Sequence, residues 1–224
     1  MHRILNLISI LLMTSCPLIL NAQDNELVLR LRGGHNSTYG GFAAVSLETD
    51  QTISSRFSIS GGLQYNTIGR TALEVRPVFG MDHEWGRLSA EAIFSYTNLA
   101  SINSFSAGAG GCIDFRNITA KLGYYYRLYG GSGGRIAERF NIYYELRVHL
   151  LEKIRNWNLY LSITNNEIFE LERHYQPSFI AECFYYPTAE LGVSLGIGCK
   201  PAGMFNLSAD YYQSFLKTGI CYRW

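Results

Sequence analysis

The constraint that governs this chain is strict alternation of apolar and polar residues. From residue 26 onward the periodicity is two. Leu27, Leu29 and Leu31 alternate with Val28, Arg30 and Arg32. Leu88, Ala90, Ala92, Phe94 and Tyr96 alternate with Arg87, Ser89, Glu91, Ile93 and Ser95. Leu191, Val193, Leu195 and Ile197 alternate with Glu190, Gly192, Ser194 and Gly196. A period of two places successive side chains on opposite faces of a strand and argues against amphipathic helices. The runs are roughly 9–12 residues long, against ~5–6 for an ordinary globular strand and ~9–11 for a tilted strand that crosses a bilayer.

The two faces differ in an unusual way. One is apolar, with tyrosine, phenylalanine or tryptophan near the strand ends. The other is mostly Ser, Gly, Thr and Asn with single charges. A soluble barrel or sandwich turns its apolar face inward and a more charged face to water. Here charged residues are 17% of the chain, below the ~25% typical of soluble domains. An apolar exterior around a crowded polar lumen fits better. The formal net charge of +1 excludes a nucleic-acid binder of the basic-patch kind. With 16 Tyr and 12 Phe, the chain is too aromatic to be disordered.

The first 22 residues read as an address. Arg3 precedes an apolar run to Leu20, and Asn21-Ala22 closes it, as in a secretory signal peptide cut after Ala22. A lipoprotein box ending at Cys16 is the alternative, but the apolar run continues through Pro17-Leu18-Ile19-Leu20 beyond it. An uncleaved anchor is a third reading. Residues 23–224 then form one domain. After residue 24 no stretch approaches the ~20 apolar residues of a spanning helix.

Strands are expected at 26–33, 38–48, 52–66, 72–82, 87–97, 105–115, 118–128, 140–150, 157–165, 177–186, 189–199 and 205–224. The gaps between them alternate. Longer ones, including 129–139 and 166–176, lie on one side, and shorter ones such as 49–51 and 151–156 on the other. That asymmetry suits an up-and-down membrane barrel with short periplasmic turns. Closure is required because an open edge in lipid leaves backbone groups unpaired. The expected fold is all-β, a transmembrane antiparallel barrel of about 12 strands, with 10 to 14 possible. The last segment changes phase near Tyr211-Tyr212. Either one bulged strand or two strands joined at Gln213-Ser214 explains that change.

The chain ends Leu216-x-Thr218-x-Ile220-x-Tyr222-x-Trp224. With this ending and the pattern before it, the chain resembles Gram-negative outer-membrane β-barrel proteins. The resemblance implies an outer-membrane location and contact with outer-membrane lipid. It also implies reading of Leu216, Ile220, Tyr222 and Trp224 by the barrel-assembly machinery. It names a class that hosts pores, enzymes, adhesins and plugs, and fold alone does not choose among them.

Alternation puts Arg76, Glu91, Lys121, Arg127, Glu145, Arg147 and Glu182 in the lumen. Balanced charges of this kind fill a lumen as ion pairs, or form a selectivity ring if biased in sign at one depth; the sequence displays no such bias. Ser162 and His149 share a wall with Glu145, which invites a hydrolase reading. If Leu150 faces Trp157, however, His149 lies ~13 Å along the strand from the position opposite Ser162, too far for a nucleophile and base. The loop 165–176 is the richest exposed segment. Glu170, Glu172 and His174 alternate there and are candidates for binding a ligand or cation, beside the simpler reading of a strand extension with its charges in solvent.

Cys112 and Cys221 face inward, Cys183 and Cys199 outward; the outward pair is too far apart for a bridge, a Cys112–Cys221 bridge would join strands that are not sequence neighbours, and no zinc spacing is present. No cofactor is implied. The functional expectation is a narrow pore, or a filled barrel acting through its loops. The alternatives are an outer-membrane lipid-modifying enzyme, for which no nucleophile and base assemble, and a soluble secreted β-barrel binding protein.

Overall fold

A computed structural model describes residues 25–38, 40–99, 102–131, 134–154, 156–171, 176–201 and 211–224. The expected signal segment therefore lies outside the described residues. Twelve strands close one antiparallel barrel. They are β1 (Glu26–Asn36), β2 (Gly40–Ser54), β3 (Phe57–Asn66), β4 (Arg70–His83), β5 (Gly86–Leu99) and β6 (Ile102–Phe115). The wall continues with β7 (Ile118–Gly131), β8 (Gly134–Ile154) and β9 (Trp157–Thr164), then β12 (Ser178–Tyr185), β13 (Leu191–Pro201) and β14 (Tyr211–Arg223). Two short strands, β10 (Asn166–Glu167) and β11 (Glu170–Leu171), pair only with each other.

The barrel is inside-out relative to a soluble one. Leu29, Phe79, Phe94, Leu122, Leu195, Leu216 and Ile220 are exposed on the exterior. Glu74, Glu91, Glu145, Ser162, Glu182 and Lys217 are buried. This follows directly from the period of two, because each strand turns one set of residues to either side. A continuous apolar band around the outside has no counterpart on a water-soluble monomer and suits lipid.

The first and last strands meet over eleven residue pairs, from Glu26 opposite Arg223 to Asn36 opposite Gln213. The rim of this seam is clasped. Arg223 stacks its guanidinium 3.6 Å above the Tyr186 ring, donates to the Tyr186 hydroxyl at 2.6 Å, and pairs with Glu26 at 3.3 Å.

Two expected connections are corrected. The β2–β3 turn falls after Ser54, not at 49–51, because the ladder runs on to Ser54 opposite Phe57. The β7–β8 connection is tight, since pairing continues to Gly131 opposite Gly134 and residues expected in a long loop extend both strands. Marked asymmetry of loop length is thus confined to the connections after β9 and β13. The phase change near Tyr211 is one bulged strand. Lys200 pairs with Gln213 and Pro201 with Tyr211, so Tyr212 is the extra residue. Residues 205–210 of the expected last strand lie outside the described residues.

Candidate functional site: an inserted hairpin in a charged lumen

Strand β9 ends at Thr164, and the chain then turns into the barrel. Asn165 makes the turn possible. Its backbone N–H donates to the Tyr144 carbonyl at 3.2 Å. Its side chain accepts from the Tyr144 N–H at 2.7 Å and donates to the Ile142 carbonyl at 2.8 Å. One residue thereby satisfies backbone groups of β8 that a continuing strand would have paired, as buried backbone requires. Thr164 supports it, its hydroxyl donating to the Tyr144 carbonyl at 3.0 Å and accepting from the Asn166 N–H at 2.9 Å.

Strands β10 and β11 then cross the lumen as a small hairpin. At its tip Phe169 holds a left-handed φ of 68°. A non-glycine residue there costs roughly 1–2 kcal/mol, so surrounding contacts must hold it. They come from the opposite wall. The Phe169 N–H donates to Glu74 at 3.1 Å, and Arg70 donates to the Phe169 carbonyl at 2.7 Å. Arg76 donates to the Glu167 carbonyl at 3.3 Å. Glu74, Arg70 and Arg76 are all on β4, which lies five places from β9 around the ring of twelve, so the hairpin reaches across the barrel.

The hairpin's carboxylates meet the third sector of the wall. Arg32 of β1 pairs with Glu170 at 3.0 Å and Glu167 at 3.6 Å. Lys217 of β14 pairs closely with Glu167. Lys200 of β13 pairs closely with Glu170 and lies 3.9 Å from Glu167. Ser178 donates to Glu167 at 3.2 Å. Burial alone would raise the Glu167 carboxyl. Lys217, Arg32 and Lys200 outweigh it and, against the nearby Glu170, hold Glu167 down at about 2. Burial likewise opposes ionisation of Glu170, and Arg32 and Lys200 hold it well below the carboxylate range.

Beside the hairpin the lumen is packed. Ile93, Tyr125 and Tyr143 form a fully buried cluster across β5, β7 and β8. Toward the chain termini lies an open volume of about 300 Å³, reaching from Glu26 and Asp50 to Asn166, Glu167 and Ile168. Its cations are Arg30, Arg32, Arg76, Lys121, Arg147 and Lys217, and its anions Glu26, Glu48, Asp50, Glu145, Glu167 and Glu182. The six and six balance.

The lumen-facing candidates fall into three groups. Lys121 bridges Glu91 at 3.8 Å and Glu145 at 3.4 Å, Arg147 pairs with Glu145 at 2.5 Å, and Arg76 pairs closely with Glu74. Across the cavity Glu182 pairs with Arg30 at 3.1 Å and accepts from the Tyr160 hydroxyl at 2.7 Å. Arg127 donates to Ser106 at 3.0 Å and lies 5.1 Å from the Tyr125 ring. Of the loop candidates, Glu170 is in the lumen and not in solvent, whereas Glu172 and His174 lie outside the described residues. Among the described residues no cluster of metal-ligating side chains occurs.

The β8–β9 register is displaced by two residues from the expected one, with irregularities between His149 and Leu151 and between Leu151 and Ile154. Ile154, not Leu150, is the residue opposite Trp157, and Ser162 faces Arg147 rather than Glu145. His149 faces Tyr160, with ring centroids 5.9 Å apart. His149 thus sits two register places from the Ser162 partner, closer than expected but against an aromatic ring. All four described cysteines are free.

Sequence reading missed Arg32, Lys200, Lys217 and Glu167 as a set. The available signal was Glu167-x-x-Glu170, two carboxylates flanking an apolar pair in a loop otherwise expected to be solvated.

No family model matches the chain, and no curated protein matches it. Solved structures do match in fold. The KdgM porin in complex with disordered oligogalacturonate has a TM-score of 0.58 at 12% identity, covering 88% of this chain and 98% of that one. The translocator domain of the autotransporter NalP from Neisseria meningitidis has 0.56 at 11%, covering 95% and 92%. Outer membrane phospholipase A from Escherichia coli has 0.52 at 8%, covering 93% and 96%.

Proposed function

We propose that this chain is a narrow outer-membrane channel for small hydrophilic solutes, closed in its resting state by the hairpin of residues 165–171. Outer-membrane barrel architecture is the premise. A fold of this kind serves a porin, a translocator and a phospholipase alike, so the lumen must carry the choice. The observation that carries it is how the hairpin is held. Its contacts with the β1, β13 and β14 sector are ion pairs. A permanent plug is served at least as well by apolar packing, since a buried ion pair adds little net stability over hydrophobic groups of similar volume. Charged contacts are the ones that water and solute ions can replace. Beneath the hairpin the polar cavity already opens a path from the terminal side.

The test is single-channel recording in planar bilayers. The refolded mature chain is compared with a variant in which residues 166–171 are replaced by a short Gly-Ser link. Heat-modifiable gel mobility verifies folding of both. The parent should be mostly silent and the variant should give sustained ohmic steps. A folded, inserted but silent variant overturns the channel and leaves a filled barrel acting through its loops.

A further inference from the structure

Three neighbouring strands each bring one cation to the same place. Arg32 and Lys217 are direct partners in the β1–β14 ladder, and Lys200 is on β13, the next strand. All three are buried, Lys200 completely. Gathering like charges away from water is costly unless anions meet them. The anions that do so come from the hairpin, through Glu167 and Glu170.

The place is built, not incidental. Phe215 of β14 lies beneath it. Its ring is 3.8 Å from the Arg32 guanidinium and 5.3 Å from the Lys217 ammonium. A platform of this kind fixes the plane of a guanidinium and leaves its edge free to bind oxygen atoms. Phe215 fits only because Gly198 on β13 has no side chain, since a Cβ there would overlap the ring. The fixed Arg32 then reaches both carboxylates, at 3.0 and 3.6 Å.

We propose that Arg32, Lys200 and Lys217 form a binding site for a solute bearing two carboxylates, and that Glu167 and Glu170 occupy this site as a tethered competitor. The proposal rests on the channel reading and names the solute class that would displace the hairpin. Three cations against two carboxylates leave a surplus positive charge, which favours a dianion over a monoanion and repels cations. A free dicarboxylate reproduces what the hairpin supplies. It differs in having no covalent link to the wall, so it can enter, exchange and leave.

The probe is succinate, with acetate at matched ionic strength and sucrose as controls. Binding is measured by calorimetry on the mature chain in micelles and on a Glu167→Gln/Glu170→Gln variant. A short tether holds its ligand at an effective concentration near millimolar, so removing the competitor should tighten succinate binding about ten-fold or more. Adding Lys200→Gln to that variant should abolish the gain. Equal succinate affinity in parent and double variant, or binding of acetate as tight as succinate, overturns the proposal.

The parent protein provides an arm that needs no variant to fold. Succinate should raise its open probability in planar bilayers, and acetate should not. If the double variant conducts but neither prefers nor binds succinate, this site fails and the channel stands. If it binds succinate yet stays silent, the site stands and the channel fails.

Discussion

Asn165 stands in for a strand. Its side-chain amide accepts from the Tyr144 N–H at 2.7 Å and completes the β8 ladder where the chain itself has turned away. The hairpin's departure into the lumen therefore depends on one side chain. Asn165→Ala should leave the Tyr144 N–H and Ile142 carbonyl without these partners, a cost of about 1–3 kcal/mol for each buried group left unsatisfied. The local effect should exceed the global one. Faster hydrogen exchange at Tyr144 and easier proteolysis within 165–171 are expected, with the heat-modifiable transition nearly unchanged. Undisturbed exchange at Tyr144 would count against this role.

The hairpin should be released by acid. Glu167 is held down at about 2 and Glu170 is also depressed. A carboxyl depressed in the folded state stabilises it above the unfolded value, ~4.3 for Glu, and loses that contribution as pH falls through the folded value. The anchor should thus be intact from pH 7 to about 5 and fail progressively between about pH 4 and 2. Bilayer recordings across that range should reveal openings only at the acid end. A barrel that stays folded and equally silent at the acid end would contradict the ionic anchor.

Tyr143 and Gly123 should behave as one unit. Tyr143 is fully buried, and a Cβ on Gly123 would stand within 2.5 Å of the Tyr143 hydroxyl oxygen. Gly123→Ala should destabilise the barrel by about 1–3 kcal/mol through overpacking. Tyr143→Ala removes the obstacle, so the double variant should lose less than the sum of the single losses. Urea unfolding in micelles measures all three. Strict additivity would mean that the two residues do not compete for the same space.

The cysteines report which side of the wall is wet. Cys112 and Cys221 are buried, and Cys183 and Cys199 lie toward the apolar exterior. A water-soluble maleimide should modify none of the four in the folded, membrane-inserted protein, and all four after denaturation. Labelling of Cys112 in the folded state would reveal water access along β6 that its burial denies.

The alternation of Leu27 to Arg32, and of its counterparts around the wall, was enough to read twelve strands and their two faces, because that pattern is itself the physical cause of the wall. The C-terminal run read likewise. What it left open was the behaviour of segments that belong to no face. Residues 129–139 look like a loop because Gly130, Gly131, Gly133 and Gly134 carry no alternation, yet backbone pairing needs none, and β7 continues to Gly131 and β8 begins at Gly134. Residues 165–171 look solvated because four of the seven, Asn165, Asn166, Glu167 and Glu170, are charged or amide-bearing. The cations that receive Glu167 and Glu170 sit 30 or more residues away, Lys200 to Glu170 being the nearest at a separation of 30. Charge complementarity at that range becomes visible only after the barrel has closed.

The seam between β1 and β14 also sets a clock. Glu26 and Arg223, separated by 197 residues, must find each other before the last two open edges, those of β1 and β14, are protected. Contacts so distant in sequence form slowly, because the entropy of closing the loop is spent before the contact is gained. They also require the last strand to exist. A ribosome that has released Glu26 has still to make nearly the whole chain, so nothing resembling this barrel can assemble during synthesis. The chain must instead be held unfolded, with its apolar stripes uncovered, until Arg223 and Trp224 have been added.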